Sequence, residues 1–338
     1  YPKDLGGGIY NDAGAPTVSR CVFLNNAAGT LGGGMYNNNS SDLIADNCAF
    51  RENSAKNGAG VFNGDSGIDL INCEFADNST YVDEGAGVYN SDSTVRLEDC
   101  SFRGNDAGDG AGIFAAYSNT TIARCSFVSN YAKPGFTGYG AGIYGFYGDL
   151  IVTASLFVGN SGGSGSGVYS RYCDLELTDC VFSGNTGSNG AAVMDESYGH
   201  SLYANCTFSD NRAKYSCGGL QAYGDPTISN CIFWANRDSG GIDESAQLHM
   251  TNGDPVVSFC SIHGLKTFSD GNNINVDPRF IDSDGLDEIA GTEDDNLRLS
   301  AGSPCIDAGN NELVPADTTD MDGDGDDGEF MPFDIEGK

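Results

Sequence analysis

Apolar and polar residues alternate along most of this chain, and the alternation restarts on a nearly fixed period. In Gly85-Ala86-Gly87-Val88-Tyr89-Asn90 the inward positions are Ala86 and Val88. Val95 and Leu97 follow, then Cys100 and Phe102 in Cys100-Ser101-Phe102-Arg103-Gly104-Asn105. A period of two marks strands, and no window carries the 3.6-residue period of a helix. The closing signature Cys-x-Phe-x-x-Asn begins at Cys21, Cys48, Cys73, Cys100, Cys125, Cys180, Cys206 and Cys231. Ser155-Leu156-Phe157 fills the one missing place, and Cys260-Ser261-Ile262 is a worn last copy. From Phe23 to Phe233 the phenylalanines recur every 25 to 30 residues, a spacing that means a solenoid or an array.

Three short strands per repeat, with Gly, Asn, Asp and Ser at the corners, exclude helical and leucine-rich solenoids. The expected fold is all-β, a parallel β-helix of three-stranded coils of about 25 residues, each stacked about 4.8 Å above the last. About ten coils over residues 1–263 make a rod of roughly 45 Å. From Gly264 the repeat is lost. Residues 264–338 are expected to form an acidic C-terminal cap, because the open end of a β-helix is an unpaired sheet edge.

In-register coils turn each motif position into a column. The phenylalanines are expected to stack inside, where offset rings bury much area. Asn26, Asn53, Asn78, Asn105, Asn130, Asn160, Asn185, Asn211 and Asn236 fall where the chain leaves the strand. Asparagine tolerates left-handed geometry there, and its amide bonds to the copies above and below. A further column, Tyr10, Tyr36, Phe62, Tyr89, Phe114, Tyr144 and Tyr169, follows the inward Val or Ile and therefore points outward. Such rings either shield the sheet face or form a platform for sugars or another protein. The longest insertion is Tyr131-Ala132-Lys133-Pro134-Gly135-Phe136-Thr137-Gly138-Tyr139, and a second irregularity spans Asp195 to His200. Insertions in solenoids gather on one side, often the binding side.

The pairing of Phe-x-x-Asn with Gly-Gly/Ala-Gly-Ile/Val resembles the repeat of chlamydial polymorphic outer-membrane proteins. It is also similar to secreted right-handed parallel β-helix proteins of planctomycetes and related environmental bacteria. The runs Val276-Asp277-Pro278-Arg279-Phe280, Leu297-Arg298-Leu299 and Ser303-Pro304-Cys305-Ile306-Asp307-Ala308-Gly309 resemble the segment closing many such proteins. The resemblance implies an extracellular or cell-surface protein and says little about activity.

Charge narrows the partners. The 338 residues hold 48 acidic and 16 basic side chains, a net charge of −32. That excludes nucleic acid, which needs a basic footprint, and anionic polymers without a bridging metal. No apolar run reaches the length of a membrane span. The chain opens inside a motif, at Leu5-Gly6-Gly7-Gly8-Ile9-Tyr10-Asn11, so a leader and further coils are expected upstream of Tyr1. If no such sequence covers that end, a second copy is expected to, and end-to-end contact would propagate into a filament. Of the 12 cysteines, nine share one repeat position. They read as free buried thiols, since parallel in-register side chains give poor disulfide geometry. Cys173, Cys217 and Cys305 stand outside that column and are the better candidates for bridges.

The sharpest chemical signal is Asp320-Met321-Asp322-Gly323-Asp324-Gly325-Asp326-Asp327-Gly328-Glu329. Carboxylates at alternate positions, with Gly325 for the sharp turn, match the start of an EF-hand-type calcium loop. Met331 stands where that loop has its closing Glu, so the stretch resembles the shorter calcium loops of dockerin-like or thrombospondin-repeat segments. The expected ligands are Asp320, Asp322, Asp324 and Asp326, with Glu329 or Asp327 completing the sphere. Asp282, Asp284 and Asp287 form a second candidate, with Asp294 and Asp295 nearby.

Catalysis has a precedent in this fold through pectate lyases and polygalacturonases, an analogy of fold alone. A lyase needs acidic calcium ligands beside a basic residue in one groove, and the arginines here share no such constellation. Of the polygalacturonase motifs only His263-Gly264 appears, and His200 and His249 have no partner pattern. The expected function is a non-enzymatic β-solenoid of the cell surface, structural, adhesive or self-assembling, calcium-stabilised, with surface glycans among its partners. The rival is a carbohydrate-active enzyme or glycan-binding protein. A groove, if present, is expected near Ala191-Ala192-Val193-Met194 and Gly218-Gly219-Leu220-Gln221.

Overall fold

The computed structural model describes residues 4–39, 43–81, 83–133 and 137–316. Alternation does what it must in a β-chain: one side of each strand is buried and the other left outside. A coil lays down a first, second and third strand, as in Val88–Ser91, Thr94–Glu98 and Ser101–Arg103. Each pairs in parallel with its counterparts in the coils before and after. Val88 lies between Val61 and Ile113, Leu97 between Leu70 and Ile122, and Phe102 between Phe75 and Phe127. The third strands alone make a ten-stranded sheet. The protein is a parallel β-helix of about ten coils.

Eight of the nine stacked phenylalanines are wholly buried, and Phe23 nearly so. Successive ring centroids are 4.6 to 4.9 Å apart. Each buried ring contributes on the order of 2–3 kcal/mol. The recurring glycines of the first strand make room for it. A Cβ on Gly87 would lie 2.9 Å from the Phe102 ring and 2.4 Å from the Gly112 carbonyl.

Asparagine forms the second internal column. The backbone N–H and the side-chain amide of Asn105 both donate to Asn130 Oδ1, at 3.1 and 2.9 Å, and the same amide donates to Phe75 O at 2.9 Å. Its backbone carbonyl accepts from Tyr131 N. That last bond explains a departure from three strands per coil. Ser54–Ala55, Ser79–Thr80, Asp106–Ala107 and Tyr131–Ala132 form a fourth, two-residue strand directly after the corner. Two residues are too short to leave a period in the sequence.

The first and second strands also merge in two coils, as the eleven-residue strands Ile143–Thr153 and Val168–Thr178. A single helical turn, Glu244–Gln247, interrupts the ninth corner. Beyond it, Leu265 and Phe268 pack against the core, and Ile274 pairs with Ser261. Glu244 holds this end, accepting from the amides of Lys266, Thr267 and Phe268 at 2.7 to 3.2 Å. Burial acts to raise its pKa, but the amides together outweigh it and keep the carboxyl below its ordinary range.

The following residues turn back along the outside of the third-strand sheet. They carry an antiparallel pair, Phe280–Asp282 with Asn296–Leu299. Glu293 pairs with Arg103, Asp295 accepts from Ser183 Oγ at 3.3 Å, and Asn310 exchanges two hydrogen bonds with Asn230. The segment thus reaches back from the last coil to the coil of Phe102. Among the described residues no helix is long and apolar enough to cross a membrane.

Candidate functional site

Asp320, Asp322, Asp324, Asp326 and Glu329 lie outside the described residues. Asp282, Asp284 and Asp287 lie in the turned-back segment. Asp287 Oδ1 accepts from Ile289 N and Thr292 Oγ1, and Asp284 O accepts from Ile289 N. Among the described residues no three His, Cys, Asp or Glu side chains converge as a metal-binding group. Between this segment and the third-strand sheet lies a cavity of about 850 Å³, floored by Leu156, Val158, Val181 and Ile232 and covered by Leu297 and Leu299.

All twelve cysteines are free thiols, including Cys173, Cys217 and Cys305, which corrects the expectation of bridges there. Cys173 and Cys217 are buried within coils and donate to nearby backbone carbonyls. Burial pushes the Cys173 thiol up to about 12. His263 stacks on Trp234 at 4.3 Å.

The column Tyr10, Tyr36, Phe62, Tyr89, Phe114, Tyr144 and Tyr169 shields the sheet and is no open platform. Its rings stack at 5.1 to 5.3 Å as far as Phe114, then turn edge-on at Tyr144. Tyr139, from the long insertion, covers Tyr169 at 4.3 Å. Tyr169 is only 2% exposed, and Tyr10, where the stack ends, is 52% exposed.

A second aromatic column does face solvent, and sequence reading missed it. Tyr117, Tyr147, Tyr172 and Tyr198 stand at the corner between the first and second strands of four successive coils, 57%, 40%, 41% and 57% exposed. Their centroids are 5.1, 5.0 and 6.0 Å apart and the rings are nearly parallel. Neighbours therefore cover the ring faces between them and leave ring edges exposed. The same corner in the four preceding coils holds Ala13, Asn39, Asp65 and Asp92. All eight residues have φ between +46° and +61°. Asparagine and aspartate suit that conformation, and a bulky ring does not. The signal was legible only after aligning the coils at this corner: a position suited to Asn or Asp carries Tyr four times running.

Two rows of side chains flank the column. On one side Phe146, Arg171 and Glu196 follow one another up the rod, and on the other Asn119, Asp149 and Asp174 do. Arg171 lies over the Tyr172 ring at 5.2 Å and within 3.7 Å of Glu196, which accepts from Tyr169 Oη at 2.8 Å. Burial first, then Glu196, raises the Tyr169 pKa. Behind Glu196, Asp195 is fully buried and accepts from Tyr203 Oη at 2.7 Å and Ser197 N at 3.0 Å. Burial raises the Asp195 pKa despite these donors. The coils expected to hold a groove contribute Val193 and Leu220 to the core and set Asp195 and Glu196 beside the column.

Residues 7–166 match the protein family described as right handed beta helix region, which begins in the first coil and runs into the coil of Phe157. With the stacked parallel coils, that defines the fold as a right-handed parallel β-helix. Comparison with curated proteins gives no match.

Proposed function

We propose that this protein is a non-enzymatic, extracellular or cell-surface solenoid, a stiff rod that adheres through one flank. The observation carrying this reading is the exposed column of Tyr117, Tyr147, Tyr172 and Tyr198, built where the backbone suits a smaller, polar residue. Tyrosine gives a wide amphipathic contact at low entropic cost, which is why contact surfaces use it. The repeat's similarity to secreted β-helix proteins supports the location. Stacked columns of Phe and Asn supply the stiffness, since each coil is bonded to both neighbours along its whole circuit.

The test pairs adhesion with turnover. Beads coated with the protein should attach to polysaccharide- or matrix-coated surfaces, and beads coated with the Tyr147→Asn, Tyr172→Asn double variant should detach under lower flow. New reducing ends or unsaturated products from any polysaccharide would overturn the non-enzymatic reading. Equal attachment by both proteins would remove the flank from it.

A further inference from the structure

The reading above leaves the partner open, and the corner between the first and second strands narrows it. Tyr117, Tyr147, Tyr172 and Tyr198 present one phenol ring per coil, at 5.0 to 6.0 Å along the rod, with the faces between successive rings covered. A ligand that touches all four is a linear chain lying parallel to the rod axis with a matching repeat. An extended peptide advances about 3.3 Å per residue, so its same-side positions fall about 6.6 Å apart and drift out of step. An extended chain of β-1,4-linked pyranoses advances by close to one coil rise per sugar, so that with successive sugars flipped every coil meets a sugar edge and every second coil the same face.

The flanking rows point the same way. Asp149, Asp174 and Glu196 offer carboxylate oxygens, Asn119 an amide, and Arg171 a planar cation already shared with Tyr172 and Glu196. This is a surface rich in acceptors, with phenol hydroxyls that both donate and accept. It suits a ligand carrying many hydroxyl donors and no negative charge. The net charge of −32 repels acidic polysaccharides and second copies of the chain alike.

We propose, resting on the adhesive reading, that Tyr117, Tyr147, Tyr172 and Tyr198 form a linear docking edge for a neutral, extended β-linked polysaccharide, one sugar per coil along the rod.

Affinity electrophoresis of the full chain tests this, with hydroxyethylcellulose, polygalacturonate or polylysine in the gel. Asparagine is the substitution of choice, because it relieves the corner and leaves the fold intact. Hydroxyethylcellulose should retard the wild type, and retardation should survive added salt. The Tyr147→Asn, Tyr172→Asn double variant should bind at least about tenfold more weakly, the scale expected on losing central contact residues. Tyr215→Asn, an exposed tyrosine away from the column, should bind as the wild type does. Unchanged retardation of the double variant overturns the docking edge, whatever the bead assay gives. If hydroxyethylcellulose leaves the wild type unretarded while bead attachment still requires the tyrosines, the neutral glycan is wrong and adhesion stands. Tyrosine-dependent, salt-sensitive retardation by polylysine would identify a basic polypeptide as the occupant instead.

Discussion

Gln247 Oε1 accepts two hydrogen bonds from Asn236, one from its backbone N–H at 3.1 Å and one from its side-chain amide at 2.9 Å. In every earlier coil the acceptor is the next asparagine, and here a glutamine from the helical turn Glu244–Gln247 takes its place. Its own amide donates to Asn236 O at 2.9 Å. The column that begins at Asn26 therefore ends without an orphaned donor.

Replacing Gln247 by Ala should destabilise the end of the rod. Two buried donors on Asn236 lose their acceptor, at about 1–3 kcal/mol each. Hydrogen exchange should quicken from Asn236 to Ile262 while the early coils keep their protection. An exchange pattern unchanged from the wild type would show that the terminal acceptor is dispensable.

The core was legible in the sequence because stacking copies one coil's demands onto the next: Phe23 to Phe233 and Asn26 to Asn236 repeat for a single physical reason. The outward tyrosines were not, because nothing in the core requires them. Tyr147 becomes conspicuous only when set against Asp92 and Asn39 in register, and that register is a property of the folded rod. The path of the residues after Ile274 was equally hidden. It rests on isolated contacts such as Glu293 with Arg103, separated by 190 residues and marked by no repeat. The outward direction of Tyr169 was read correctly, but its burial depends on Tyr139, which the insertion places over it.

The thiols give a second prediction. Cys21 is exposed and Cys305 partly so, while the other ten are buried. A thiol reagent should label Cys21 at once, Cys305 more slowly, and the remainder only after unfolding. Mass spectrometry of the native protein showing any lost pair of hydrogens would contradict free thiols.

Calcium is expected to act through Asp320 to Glu329. Crowded carboxylates repel one another until a cation joins them, and a ligand bound only by the folded state raises the melting temperature. The melt should shift upward with calcium and return with chelator. Asp322→Asn with Asp324→Asn should abolish the shift, and Asp287→Asn should not, since that side chain already serves the local turn. An identical melt with calcium and with chelator would rule the loop out.

The acid side of the stability curve should carry two opposing contributions. Glu244 is held below its ordinary range by the amides that outweigh its burial, so its stabilisation is present at neutral pH and is lost as pH falls through its folded pKa. Asp195 runs the other way. Burial raises its pKa above the unfolded value, so the stability it contributes is complete below that value and is lost as pH rises through the folded one. Once ionised, this buried carboxylate is met by Tyr203 Oη, the Ser197 amide and the Ser201 hydroxyl. Asn11, Asn37, Asn63 and Asn90 occupy the same position in the first four coils, so Asp195→Asn fits the site. The variant should match the wild type in acid and exceed its melting temperature by a gap that widens toward neutral pH. A gap independent of pH would mean that Asp195 is not titrating, and a less stable variant at pH 7 would mean that the charge itself is required by Tyr203.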